Sequence, residues 1–351
     1  MPFERQTYLG VGPYERSAER RDWANGYKPK TVQTRVGEIT FAVPQVRTGE
    51  FYPQALEKGL RREQAWRWTL AEMDVQGVST RKVAAITEQL CGVSISSSQV
   101  SRATAEWDAM VTPWRERPLG RCPYWYLDAR YETVRQDGQV RDAAGLIASG
   151  VQESGQRQIL GVSVSWGEPE VHGRTCLQSL VQRGLSGALL IISDAPSGLQ
   201  AARRAVFGGL PWQRCQVHLQ QHAQAYVPRQ ALKTEVAADI RAIFNAPDRP
   251  AAEALLAQTV TQYRPSASKL ADWLETHLLE GLTVFAFPQA HRRLIRTPNS
   301  LARLNREIRR RTRVVTLFPN EAACLRLVSA LLMEVREAWE SGRAYLTFTP
   351  I

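Results

Sequence analysis

What is scarce in these 351 residues narrows the field before any motif is read. No apolar run approaches the roughly 20 residues that a membrane-spanning helix requires, and the opening MPFERQTYLG lacks the apolar stretch of a secretory signal. Only five cysteines occur, at 91, 122, 176, 215 and 324. Their odd number and wide spacing argue against a disulfide framework and fit a reducing cytoplasm. Acids are also short, with 34 Asp and Glu against 45 Lys and Arg, a net charge of +11. Such an excess points to a polyanionic partner, nucleic acid ahead of an anionic membrane surface. Internal repeats and low-complexity tracts are missing too. The length asks for two or three domains.

What is present changes its period along the chain. Residues 1 to about 60 hold one alternating run, VGEITFAVPQVR, in which Ile39, Phe41 and Val43 face one side of a strand or ribbon. Helical periodicity then recurs three times up to about residue 118. From about 124 the pattern is that of strands: YWYLDARYETV, RDAAGLIASGV and RQILGVSVSWG, separated by the turn signals QDGQ and QESGQ, predict an antiparallel meander. A helix in TCLQSLVQRGL, the buried strand GALLIISDA, a helix in GLQAARRAVFG and a short strand in WQRCQVHL follow. Residues 220 to 295 read almost wholly as helix. This order of elements predicts an α/β fold with a ribonuclease-H-like mixed sheet.

Two acids stand out on apolar strands. Asp128 lies in YWYLDARY and Asp194 ends LLIISDA. A carboxylate there is costly to bury without charge compensation, which a divalent cation supplies. If the first and fourth strands are neighbours, the two converge, and their hard oxygens suit Mg²⁺ or Mn²⁺. Each Asp alone also fits an ordinary cap of the turn or helix that follows.

In TPNSLARLN, residues 297–305, Thr297 is a good N-cap and Pro298 suits the first helical position. At about 100° per residue, Leu301, Leu304 and Ile308 form the core stripe. Asn299, Ala302, Arg306, Arg309 and Arg313 share another face, so Ala302 sits among groups suited to phosphates, though alanine is also the best helix former. Nine arginines and one acid, Glu307, fall between residues 291 and 313. Arg303, Arg306, Arg309, Arg310 and Arg313 are expected to meet DNA. Glu307 points away from the face of Ala302, and Glu321, after the expected cap Asn320, fits a first-turn acid; neither is a good substitute metal ligand.

Two further stretches carry signals. WQRCQVHL spaces Cys215 and His218 as Cys-x-x-His with His222 beyond, but no second pair completes a zinc site. Trp212 is either a packing anchor or a stacking platform for a base. GVSTRKVAAITEQLCGVSISSSQVSR reads as a helix-turn-helix: Ser79 caps a helix carrying Val83, Ile86 and Leu90, and a second helix from about Ser97 offers Ser98, Gln99, Ser101 and Arg102 to DNA.

The stretches PYERSAERRDWANGY, TRVGEITFAVPQVR, VQGVSTRKVAAITEQLCG, YLDARYETVR, LIISDA, WQRCQVHL, RLNREIRRRT and FPNEAA resemble those of bacterial insertion-sequence transposases related to the eukaryotic Mutator elements, over nearly the whole chain. The resemblance implies a DDE recombinase: a ribonuclease-H-like core with a helical insertion between the second and third acids, and metal-dependent DNA cleavage and strand transfer at terminal inverted repeats. It makes Asp128 and Asp194 the first two acids and metal ligands. The third acid, a Glu in T-x-N-x-L-E-x-x-N, falls on Ala302, the one departure in an otherwise intact motif. That departure reads as an inactivating substitution, deliberate or natural. The resemblance also implies that Cys215 and His218, with Trp212 and Asn299, shape the site.

The expected organisation is a β-containing arm over 1–58, a helix-turn-helix domain over 59–118, the first part of the core over 119–219, a helical insertion over 220–295 and the last part of the core over 296–351. The expected function is that of a cytoplasmic, nucleoid-associated DNA transposase, catalytically inactive through Ala302. It would bind double-stranded DNA, both terminal inverted repeats and target, as a homodimer on paired ends without any membrane. The alternatives are a non-catalytic, domesticated binder of transposon ends, and a nuclease of the same fold acting on RNA–DNA hybrids or branched DNA.

Overall fold

Proline opens and glycine closes the first helix. α1 (Pro2–Leu9) starts where a missing N–H costs a helix nothing, and Gly10 ends it at φ 72°, a left-handed conformation that suits glycine. β1 (Ala24–Thr34) and β2 (Gly37–Val46) pair antiparallel, from Tyr27 opposite Pro44 to Thr34 opposite Gly37. This register sets Ile39, Phe41 and Val43 on one face with Val32, Lys30 and Lys28, as alternation requires; Val32 and Val43 are buried while Ile39 is exposed. α2 (Thr80–Cys91) follows, and Val83, Ile95 and Val100 form a small core. This is a computed structural model, and it describes residues 1–348 except 13, 16, 19, 35–36, 50, 55, 57–72, 74–77, 79, 92–94, 97, 101, 103–107, 137, 195, 298 and 316. The chain divides into two compact units, Met1–Trp107 and Asp108–Ile351.

The second unit begins with α3 (Asp108–Glu116) and the three expected long strands, β3 (Tyr124–Gln136), β4 (Gln139–Val151) and β5 (Arg157–Ser165). Gly155, at φ 81°, turns β4 into β5; a side chain there would collide with the backbone of Leu346. After α4 (Pro169–Gln182) the fully buried β6 (Leu190–Ser193) returns parallel to β3; α5 (Ser197–Phe207) and β7 (Trp212–Arg214) complete the sheet. Its order is β5-β4-β3-β6-β7, antiparallel among the first three and parallel from β3 to β7.

Both faces of β3 are covered, which explains its apolar run. Trp125 and Leu127 pack with Leu177, Leu180, Leu199 and Phe207 of α4 and α5. Tyr124 and Tyr126, on the other face, bond to His291 and to the carbonyl of Leu294. From Gln216 to Ile295 the described chain is helical: α6 (Gln216–Gln224), α7 (Lys233–Phe244), α8 (Arg249–Tyr263), α9 (Ser268–His277) and α10 (Gln289–Ile295), with short 3₁₀ turns. α11 (Asn299–Val315) and α12 (Glu321–Glu340) follow, and Asn320 caps α12 by accepting from the Ala323 N–H at 2.8 Å. Among the described residues no helix is long and apolar enough to cross a membrane.

Candidate active site

The parallel pairing of β3 with β6 puts Leu127 opposite Ser193, so the next residues, Asp128 within β3 and Asp194 just past the end of β6, stand at the same level. The turn that aims Asp194 is fixed by a short relay. Trp212 Nε1 donates to Ser193 Oγ at 2.9 Å, and that hydroxyl donates to the Asp194 carbonyl at 2.6 Å. The Arg203 guanidinium lies 4.8 Å from the Trp212 ring centre, so Trp212 packs and orients here. The sequence left packing and base stacking open for this residue.

Burial pushes the Asp128 carboxyl up to about 6; His218 acts against this and the Asp194 carboxylate adds to it. Two nitrogen-bearing side chains face Asp194: Arg214 Nε stands 3.9 Å from Oδ1, and His218 Nδ1 stands 3.6 Å from Oδ2. Neither contact is a hydrogen bond, and Asp194 Oδ1, Arg214 Nε and His218 Nδ1 are all buried without such a partner. Arg214 also holds Glu280 at 2.9 Å and His222 Nδ1 at 3.0 Å. A cavity of about 460 Å³ opens beside these groups, lined among others by Asp128, Arg130, His218, Thr297, Asn305 and Arg309.

α11 closes this cavity. Leu304 and Ile308 are buried, as its core stripe requires, and Arg306, Arg309 and Arg313 are exposed. Asn305 Nδ2 donates to Asp128 Oδ2. Arg130 Nη1 reaches the Asn305 carbonyl at 3.4 Å and pairs with Glu132, which Thr312 Oγ1 approaches at 3.4 Å. This places the backbone of residue 302 one turn before Asn305. The Thr297 hydroxyl, expected to cap the helix, is buried without a hydrogen-bond partner, and the helix runs from Asn299.

The donors here, the carboxylates of Asp128 and Asp194, are of the hard oxygen type that a divalent cation takes. Two carboxylates converge, one buried and the other with an unpartnered oxygen, as expected where a cation would complete the charge balance. Among the described residues no group of three or more His, Cys, Asp or Glu side chains could hold a metal ion. Cys215 is buried, and among the described residues no cluster of three or more His, Cys, Asp or Glu forms around it and His218 to hold zinc. Glu307 pairs with Arg310 and Arg311, and Glu321 accepts from the Trp166 N–H at 2.8 Å, so both are occupied structurally.

Of the residues expected to meet DNA, Arg306, Arg309, Arg310 and Arg313 line one shallow cavity of about 410 Å³. Asn299, Ala302 and Arg303 belong to α11, and their side chains lie outside the described ones. In the first unit Ser98, Gln99 and Arg102 are helical, and Ser101 and Ser79 lie outside the described residues. Gln99 Oε1 accepts from the Ser96 N–H at 3.0 Å and Ser96 Oγ accepts from the Gln99 N–H at 3.3 Å. This capping box starts the second helix at Ser96 and commits one end of Gln99. Sequence reading missed Asn305, Arg130, Glu132 and Arg214. Only Asn305 carried a signal, since it lies one helical turn beyond Ala302 on a face already suspect.

Comparison with known proteins follows the same lines. The transposase for insertion sequence element IS406 of Burkholderia multivorans is 56% identical over 349 residues, covering 99% of this chain and 90% of that protein. The transposase for element ISRM5 of Rhizobium meliloti is 40% identical, covering 98% of this chain and 86% of its own. The transposase for element IS256 in transposon Tn4001 of Staphylococcus aureus is 36% identical, covering 99% and 90%. The family model described as Transposase, Mutator family, matches residues 1–342, and the chain therefore belongs to the Mutator family of transposases.

Proposed function

We propose that this chain is a DDE-type DNA transposase with a ribonuclease-H-like core, which recognises terminal inverted repeats and lacks one catalytic acid at Ala302. The family supports a DNA-cutting and joining enzyme in general. The observation that carries the finer reading is the parallel β3–β6 register, which brings Asp128 and Asp194 together beneath α11. The sheet order β5-β4-β3-β6-β7, interrupted by a helical stretch before α11, supports the same core.

Asp128 and Asp194 would hold Mg²⁺ or Mn²⁺, which when bound activates a water or a DNA 3′-hydroxyl and stabilises the leaving oxygen of a phosphodiester. The protein's own groups do the rest. Arg306, Arg309 and Arg313 bind phosphates of the strand lying on α11, Arg214 and His218 stand beside Asp194, and the Trp212–Ser193 relay fixes its turn. The first unit, with its ribbon and helical pair, would hold the repeats as a helix-turn-helix module, within the domain boundaries the sequence suggests. Two copies would act on paired ends, in the cytoplasm and on nucleoid DNA.

The test is strand nicking and joining on a labelled duplex carrying the flanking inverted repeats, with Mg²⁺ or Mn²⁺, comparing the chain with Ala302→Glu. Activity in the variant alone is expected. Tight repeat-specific binding with activity in neither would favour the second reading, a domesticated binder that occupies the ends, which Ala302 itself supports.

A further inference from the structure

We infer that Asn305 orients the first acid and also offers an oxygen to the cation, so that this chain, with Ala302, still forms a site for one divalent ion. The inference rests on the metal-dependent reading above. A carboxylate has no proton to give, so the amide nitrogen of Asn305 must be the end that meets Asp128 Oδ2. That bond occupies one of the two Asp128 oxygens. It also leaves Asn305 Oδ1 buried and without a hydrogen-bond partner, beside the cavity that Asp128 and Asn305 both line. An acceptor so placed costs stability unless something absent from the bare protein approaches it.

The backbone around Asn305 is built to keep it there. Arg130, two residues beyond Asp128 on β3, holds the Asn305 carbonyl, and Thr312 meets Glu132 two turns further along α11. Strand and helix are thereby locked in register at Asn305. Donor chemistry matches as well: the carboxylate oxygens of Asp128 and Asp194 and the amide oxygen of Asn305 are the hard ligands a divalent cation takes, and a glutamate at 302 would add a further carboxylate.

The experiment is Mn²⁺ titration of the full chain followed by electron paramagnetic resonance, with thermal melts alongside, for the native sequence, Asn305→Ala, Asn305→Asp and Ala302→Glu. The native chain is expected to bind one Mn²⁺. Asn305→Ala should weaken it by about tenfold or more, the usual effect of losing a group that supports a ligand. Asn305→Asp, nearly isosteric, should melt lower without metal, because it faces Asp128 with a like charge, and should bind Mn²⁺ more tightly and regain its melting temperature with it. Equal Mn²⁺ affinity in the native, Asn305→Ala and Asn305→Asp chains, with melting changes that Mn²⁺ does not reverse, overturns the inference in favour of a purely structural Asn305. Binding by Ala302→Glu alone also overturns it while leaving the transposase reading intact, and binding by none of the four overturns both.

Discussion

Replacing Arg306, Arg309 and Arg313 together by alanine tests how DNA meets α11. All three are exposed, line the same shallow cavity, and have no ion-pair partner among the described residues. Arg310 is tied to Glu307 through two bonds of 3.0 and 2.7 Å, and Arg311 is buried between Glu307 and Glu334. Three phosphate contacts are therefore available, although five arginines crowd residues 306–313. Each contact to B-DNA contributes about 0.9 to the slope of log affinity against log salt, so the triple variant should lose about 2.7 of that slope. Between 50 and 200 mM salt, the native affinity should fall about 40-fold more than the variant's. Fluorescence anisotropy of a labelled duplex across a salt series reads this directly. Parallel salt plots for the two proteins would refute the assignment, as would an equal loss from Arg310→Ala alone.

Asp128→Asn addresses the buried acid. Its folded value of about 6 lies above the ordinary 3.8, so between those pH values the metal-free native protein holds more protons than the unfolded chain. Stability should fall as pH rises from about 4 to 6, by about 3 kcal/mol in full, and denaturant melts with a chelator should show this slope in the native chain and lose it in the variant. Glu132→Gln removes the carboxylate from a pair in which both side chains are only 11% and 12% exposed, and should cost about 3 kcal/mol in the same melts, because Arg130 is left without its counter-charge. Trp212→Phe keeps an aromatic ring for Arg203 but removes the donor to Ser193. In the Ala302→Glu background it should lower cleavage several-fold while costing only about 1 kcal/mol of stability.

Some of this architecture was legible from residue order, and the reason differs from element to element. The strands β3 to β6 announced themselves because both faces of β3 and all of β6 are buried, which leaves unbroken apolar runs bounded by turns. Leu304 and Ile308 were legible because helical periodicity and burial agree there. The pairing of β3 with β6 was only a condition in the sequence, since register depends on contacts between residues about 65 positions apart. Gln99 illustrates local competition: a glutamine that looked free to read bases is claimed by the backbone of Ser96, three residues away. Arg130 and Glu132 could not be placed because an ion pair has no periodic signature, and Asn305 carried only its spacing of one helical turn from Ala302. Their partners lie on elements that only the fold brings together, Asn305 meeting Asp128 across 177 positions.

β6 has four residues and ends at Ser193, while β3 continues to Gln136, so beyond Leu127 that edge of β3 pairs, among the described residues, only through the single bridge of Val134 to Phe318, and α11 approaches it at Arg130. This arrangement orders events in time. A growing chain released up to residue 296 already contains every strand of the sheet and both aspartates, yet has no helix over the open edge and nothing to hold Asp128. The candidate site is then completed only once α11 has been made, after the ribbon and helices of the first unit have been synthesised. A chain interrupted by a frameshift or stalled on the ribosome before α11 therefore carries the first unit and the sheet without the helix that meets Asp128.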